Sequence, residues 1–320
     1  MLIKIFMILG GLAIMITAGE FLVKGASRIA LRFKLTPLVV GLTIVSFGTS
    51  APELFTSIQS ALSGSPDMAM GNVIGSNICN LALILGLTTL LSPILINRDS
   101  IRIDWPVTMG SSVLLYLLVL ENYLEKYEGI LMLVVLVAYI TYLIWKSRSQ
   151  HNVEPEIDET DLKEAQKSSP IFWVKDTFYI LLGFVGLYYG SEWFVGGSKV
   201  LFKDLGVEER VIGIMVLALG TSLPELVTSI VAALRGNTDL AIGNLMGSNI
   251  FNILSILGIT SIIKPIQISQ ELKEYDLLWM LGITFILLPL MLASKKMGRW
   301  QGGVLLGMYS YYIFTIFSSF

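Results

Sequence analysis

Apolar positions run along this chain in long blocks separated by short polar interruptions. A helix needs about 20 apolar residues to cross a bilayer. Ten stretches have that character, at roughly 2–24, 37–62, 68–91, 103–121, 127–146, 171–196, 207–234, 239–262, 274–293 and 300–319. The pattern predicts an all-α integral membrane protein of ten transmembrane helices. Residues 147–170, between the fifth and sixth stretches, are polar and rich in Glu, Asp, Lys and Ser. They read as a solvated tether between two parts, 1–146 and 171–320. The tether lacks the D-x-D-x-D-G spacing of a calcium-binding EF-hand loop.

The two parts are copies. Gly48-Thr49-Ser50-Ala51-Pro52-Glu53 returns 172 positions later as Gly220-Thr221-Ser222-Leu223-Pro224-Glu225. Gly71-Asn72-Val73-Ile74-Gly75-Ser76-Asn77-Ile78-Cys79-Asn80 returns as Gly243-Asn244-Leu245-Met246-Gly247-Ser248-Asn249-Ile250-Phe251-Asn252. Residues 39–90 align with 211–262 without a gap, with 27 identities in 52 positions. The register reaches back to Glu20 and Glu192 and forward to Pro93 and Pro265. Five spans per copy is an odd number, so the second copy enters the membrane from the opposite side. This predicts two inverted-topology five-helix repeats. With the N-terminus outside, the inside segments carry 15 Lys/Arg residues against 7 outside. Both termini are therefore expected to be extracellular and the 147–170 linker cytoplasmic.

Composition agrees and narrows the chemistry. The chain is 54% hydrophobic and 14% charged, with a mean hydropathy of +0.74, which excludes an ordinary soluble domain. A net charge of −2 gives no reason to expect a nucleic-acid partner, and no obligatory protein partner is evident. The lone cysteine, Cys79, excludes an intrachain disulfide and reads as core packing. The lone histidine, His151, lies in the polar linker, so an imidazole-bound metal is not expected. The first 24 residues imitate a signal peptide, but their repeat equivalent around 173–196 cannot be one. No cofactor is expected.

Each copy carries a glutamate into the membrane. Pro52 lacks the N–H that would bond the Gly48 carbonyl, and Pro224 does the same to Gly220. Both helices should kink or unwind around Gly-Thr-Ser, freeing carbonyls beside a carboxylate. Such backbone is tolerated at membrane depth only where protein or a cavity satisfies it. Ser76 and Asn80 share a helix face, as do Ser248 and Asn252. Gly71, Gly75, Gly243 and Gly247 read as surfaces for close helix approach. Together the donors are hard oxygens, suited to Ca²⁺ and also to Na⁺. Paired mid-membrane carboxylates at matched positions mark an ion pathway. Glu20 and Glu192 are matched too, and read as interfacial or as lining an access route.

These duplicated motifs resemble the alpha-1 and alpha-2 repeats of the cation/calcium antiporter superfamily, most closely its prokaryotic sodium/calcium exchanger branch. The resemblance covers essentially the whole chain. It implies a fold in which the first and sixth helices slide against an eight-helix core, around four central ion positions. Carried over, Glu53 and Glu225 would be the principal Ca²⁺ ligands, joined by Thr49 and Thr221 through backbone oxygens. Ser50, Ser76, Ser222 and Ser248 would serve Na⁺, with the carbonyls of Ser46 and Ala218. Asn80 and Asn252 would sit centrally. Several exchangers carry Asp where this chain has Asn252, so the central acid count here is two. The proton/calcium branch usually places a glutamate soon after its Gly-Asn pair. Here those positions read Val73-Ile74-Gly75 and Leu245-Met246-Gly247. The additional central acid of the potassium-dependent branch is also missing.

The expected function is secondary antiport of Na⁺ against Ca²⁺ across the cytoplasmic membrane, with three Na⁺ per Ca²⁺ implied by the resemblance. H⁺/Ca²⁺ antiport is the alternative, and a Ca²⁺ channel the alternative of another class. An intramembrane protease fits less well. A serine protease would need a base near its serine, and Asp67, Asp104, Asp239 and Asp276 lie at span ends.

Overall fold

The fold is described from a computed structural model, which defines residues 2–149, 170–205 and 220–318. The protein is mostly helical. Among the described residues eleven helices follow in order: α1 (Leu2–Arg32), α2 (Pro37–Thr49), α3 (Ala51–Leu62), α4 (Pro66–Leu91), α5 (Trp105–Leu118), α6 (Lys126–Ser149), α7 (Pro170–Asp204), α8 (Leu223–Leu234), α9 (Thr238–Ile263), α10 (Leu272–Leu292) and α11 (Arg299–Ser318). Six are long and apolar enough to cross a membrane on their own: α1, α4, α6, α7, α9 and α10. The bent pair α2–α3 makes a seventh. His151, most of the linker and the first part of the stretch at 207–234, including Ala218, lie outside the described residues.

Packing divides the helices. Along their most apolar stretches α4 and α9 are 78% and 83% buried, whereas α1 and α7 are each 28% buried. So α4 and α9 form the centre, joined by α5, α6, α10 and α11 through one large apolar cluster that includes Leu85, Ile253, Leu257 and Leu305. A second cluster joins α1 and α7 to α2, α8 and the start of α9, through Met15, Leu22, Leu187, Val45, Val231 and Leu240. Close approach is built in at small residues: a Cβ on Gly11 would stand 2.6 Å from the Gly190 carbonyl.

Two helices run past their apolar stretches. The first span is expected over 2–24, but α1 continues to Arg32. The sixth is expected over 171–196, but α7 continues to Asp204. The extensions are held by ion pairs. Arg32 Nε lies 2.7 Å from Asp176 Oδ2 and Arg28 Nη1 3.5 Å from Asp176 Oδ1. At the other end Lys4 pairs with Asp204. The two helices are thus antiparallel, and Lys4–Asp204 and Asp176–Arg32 occupy positions related by the 172-residue register with their charges exchanged.

The all-α expectation omits two short ribbons. Pro93 and Pro265 end helical runs, and the chain continues extended. Ile94 and Leu95 pair antiparallel with Met297 and Lys296, while Tyr123 and Leu124 pair with Gln267 and Ile266. Each ribbon ties one copy to the other. The register recurs in the turns as well. α3 and α8 both end at a glycine of positive φ, Gly64 at 85° and Gly236 at 77°. The bonds Ser65 N–H to Ser60 carbonyl and Asn237 N–H to Ala232 carbonyl close the same six-to-one turn.

Candidate ion-binding site

The site forms where the Gly-Thr-Ser-x-Pro-Glu motifs interrupt their helices. α2 and α3 meet at 45° across Ser50. Ser50 (φ −84°, ψ 7°) and Ser222 (φ −88°, ψ 5°) adopt the same conformation, with Pro52 and Pro224 in the first turn of the helix that follows. Proline is tolerated there because first-turn N–H groups have no helical partner. Glu53 and Glu225 fall in the same first turns, at the helix end that favours negative charge. Both are fully buried.

Their contacts cross between the copies. Ser50 Oγ donates to Glu225 Oε1 at 3.0 Å, and Ser222 Oγ donates to Glu53 Oε1 at 3.4 Å. Thr221 also lies beside the Glu53 carboxylate, and Thr49 and Ser248 lie beside that of Glu225. The crossed bonds hold the two acids in one buried cluster. Asn72 Nδ2 donates to the Glu53 carbonyl (3.2 Å) and to Ser57 Oγ (2.9 Å). Asn244 Nδ2 repeats this with the Glu225 carbonyl (3.4 Å) and Ser229 Oγ (2.9 Å). Each asparagine therefore braces the turn that presents an acid.

The central asparagines are arranged unequally. Asn252 Nδ2 donates to Asn77 Oδ1 at 3.1 Å. Its counterpart is not made: neither polar atom of the Asn80 side chain, nor Asn249 Oδ1, has a partner among the described residues. Thr49 Oγ1 donates to Asn244 Oδ1 at 3.2 Å, but Thr221 Oγ1 has no such bond. Glu53 Oε2, Glu225 Oε2, Ser248 Oγ and Asn252 Oδ1 are likewise buried without hydrogen-bond partners. A buried polar atom left unpaired costs about 1–3 kcal/mol, more when charged. Such a concentration of oxygens has the chemistry to hold cations.

Among the sequence-derived candidates, Glu53, Glu225, Thr49, Thr221, Ser50, Ser222 and Ser248 are brought together here, while Asn80 and Asn252 are buried on α4 and α9. Ser76 is buried on α4, four residues before Asn80. π-Helical turns begin at Cys79 and at Asn252, so both central helices widen at this level. Ser46 is occupied: its one hydroxyl proton has two carbonyls in reach, Gly41 (2.6 Å) and Asn244 (2.9 Å), and its own carbonyl accepts from Ser50 N–H. Asn72, Asn77, Asn244 and Asn249 also lie inside the duplicated motif, and their repetition is the signal that marks them. Close helix approach holds for α9. A Cβ on Gly247 would stand 2.3 Å from Ser46 Oγ and 2.7 Å from Leu42 Cα, and one on Gly243 2.6 Å from the Leu38 carbonyl. For Gly71 and Gly75 the register counterparts of Leu42 and Ser46 lie outside the described residues.

Span-end acids are handled differently. Tyr139 donates to Asp104 (3.1 Å) and Tyr312 to Asp276 (2.6 Å). Cys79 is buried in the large apolar cluster.

The description sodium/calcium exchanger protein belongs to the family model that matches residues 3–145 and 175–318. A candidate antiporter, CaxA of Alkalimonas amylolytica, is 35% identical over the full length of both chains. The sodium/calcium exchanger MaX1 of Methanosarcina acetivorans is 30% identical over 98% of this chain and 99% of its own. The fold matches a solved structure of the sodium-calcium exchanger NCX_Mj, soaked with zero Na⁺ and Ca²⁺, at a TM-score of 0.83 and 27% identity. That match covers 100% of this chain and 99% of the other. This multi-pass membrane protein is a member of the sodium/calcium exchanger family.

Proposed function

We propose that this chain exchanges Na⁺ for Ca²⁺ across the cell membrane by alternating access. Residues 1–146 and 171–320 act as two inverted five-helix repeats, ten spans in all, joined by a cytoplasmic linker at 147–170. Glu53 and Glu225 are the principal Ca²⁺ ligands, with oxygens of Thr49 and Thr221. Ser50, Ser76, Ser222 and Ser248, Asn80, Asn252 and the carbonyls of Ser46 and Ala218 serve the Na⁺ positions or the centre.

The observation that carries this reading is the crossed pair of bonds, Ser50 to Glu225 and Ser222 to Glu53. They bring two acids from matched positions into one buried cluster. A charged side chain at the bilayer centre costs about 2.5–3.5 kcal/mol even on the insertion scale, and two acids repel. One Ca²⁺ offsets both. Several Na⁺ can do the same through the neutral oxygens around them. Two cargoes that neutralise one site in turn give exchange. The unequal bonds of Thr49 and Thr221 fit a protein whose halves trade places between two states. The Ser46 carbonyl already accepts from Ser50 N–H, which leaves it one lone pair for Na⁺.

Ca²⁺ uptake into proteoliposomes under an outward Na⁺ gradient or an outward H⁺ gradient, imposed separately, tests the reading. Uptake is expected with Na⁺. Uptake driven only by H⁺ replaces it with proton antiport, and Ca²⁺ flux with no counter-ion replaces it with a channel.

A further inference from the structure

A cavity of about 760 Å³ lies against the broken helices. Thr49, Pro52, Thr221 and Pro224 are among the residues that line it, so it reaches the residues that flank both acids. α7 forms another wall and carries one carboxylate there, Glu192. The side chain is exposed, and it makes no ion pair or hydrogen bond among the described residues.

Its register counterpart behaves differently. Glu20 on α1 pairs with Arg235 Nη2 at 3.1 Å. The position matching Arg235 in the other copy is Ser63, which has no charge to offer. Thus one of two matched acids is neutralised, and the other faces a cavity leading to the ion cluster. The α3 part of the same lining supplies neutral polar groups, Thr56 and Gln59. A cationic group, Lys199, stands two turns along α7 from Glu192 on the same cavity. At 1.5 Å per residue that is about 10 Å along the axis, beyond the ~8 Å screening length at physiological salt.

We propose that Glu192 is a capture site for hydrated cations, Ca²⁺ and Na⁺, which concentrates them in this cavity ahead of Glu53 and Glu225. Arg235 withholds the same role from Glu20. The inference rests on the exchange reading above. A single carboxylate on a low-dielectric wall raises the local concentration of counter-ions, and it acts more strongly on a divalent ion than on a monovalent one. Lys199 is screened from it at physiological salt and works against it only at low ionic strength, where the screening length is longer. The site therefore sets apparent affinity and leaves the slower rearrangement of the helices alone.

The test is Na⁺-driven Ca²⁺ uptake by the full chain in proteoliposomes, with KM and kcat measured separately. At low ionic strength Glu192→Gln should raise the KM for Ca²⁺ about two- to fivefold with kcat unchanged. Glu192→Asp should retain the parent value, Lys199→Gln should lower KM, and Glu20→Gln should leave it as it was. Raising ionic strength with choline chloride should erase the Glu192→Gln difference. A parent-like KM in Glu192→Gln overturns the capture role, as does a fall in kcat at constant KM. Equal damage in Glu192→Asp identifies a packing role and also overturns it. A parent chain that takes up no Ca²⁺ under a Na⁺ gradient fails the exchange reading itself, and is thereby told apart from a normal parent with an indifferent Glu192→Gln.

Discussion

Arg32 Nε sits 2.7 Å from Asp176 Oδ2 with both side chains buried, which fastens the C-terminal end of α1 to α7. Arg28 approaches the same carboxylate from one turn back, also buried. Removing one member of a buried pair leaves uncompensated charge and costs about 3–5 kcal/mol. Asp176→Asn should therefore lower the thermal unfolding midpoint in detergent sharply. Lys4→Gln, at the exposed end of the same helix pair, should move it little.

Glu53→Gln and Glu225→Gln should each reduce Na⁺-driven Ca²⁺ uptake to background with folding retained. The amide keeps the shape of the side chain and removes the charge that compensates a divalent ion. Uptake assays paired with size-exclusion profiles check this. A monodisperse variant with normal uptake would move the site elsewhere.

Gly247 packs against backbone. An added Cβ would meet Leu42 Cα at 2.7 Å and its carbonyl at 2.9 Å, and neither can rotate away. Gly247→Ala should force α2 from α9 and cost about 1–3 kcal/mol. Thermal melts against the parent, with Ca²⁺ uptake as a second reading, measure it. An unchanged midpoint would mean that the two helices are not held this tightly.

The termini are expected outside and the 147–170 segment inside, from the 15-to-7 bias in Lys and Arg. With Cys79 replaced by serine, a cysteine placed at Ser149 should resist a membrane-impermeant maleimide in intact cells. It should react after permeabilisation. Ready labelling in intact cells reverses the orientation.

Exchange should respond to voltage. Two carboxylates offset one Ca²⁺, whereas three Na⁺ leave about one positive charge, worth about 2.3 kcal/mol per 100 mV. In sodium-loaded vesicles clamped with K⁺ and valinomycin, Ca²⁺ uptake should accelerate when the interior is made positive. Rates indifferent to voltage would favour two Na⁺ per Ca²⁺.

Much of this arrangement was legible in the sequence. Ten apolar stretches and the offset between Glu53 and Glu225 gave the helical class and the acids, because hydropathy and repetition are properties of the chain alone. The kink at Ser50 followed from Pro52 for the same reason. What remained hidden depends on partners far apart in sequence. Arg28 and Arg32 look like loop charges until Asp176, 144 residues beyond Arg32, is brought against them. Asn72 and Asn244 show only repetition in the sequence, whereas the fold has each holding the carbonyl of a site glutamate. The repeat shows that Arg235 and Ser63 differ, but only the fold brings Arg235 to Glu20 and so separates Glu20 from Glu192.

The crossed serine–glutamate bonds also constrain inheritance. A lone half would hold a serine with no acid to meet and an acid with no serine. Only the other copy supplies both, so neither half can close this cluster on itself. The two copies are free to differ elsewhere, as Glu20 and Glu192 do in their surroundings. Ser50 and Ser222 are not free in this way, because a change at either is felt by the acid of the opposite half.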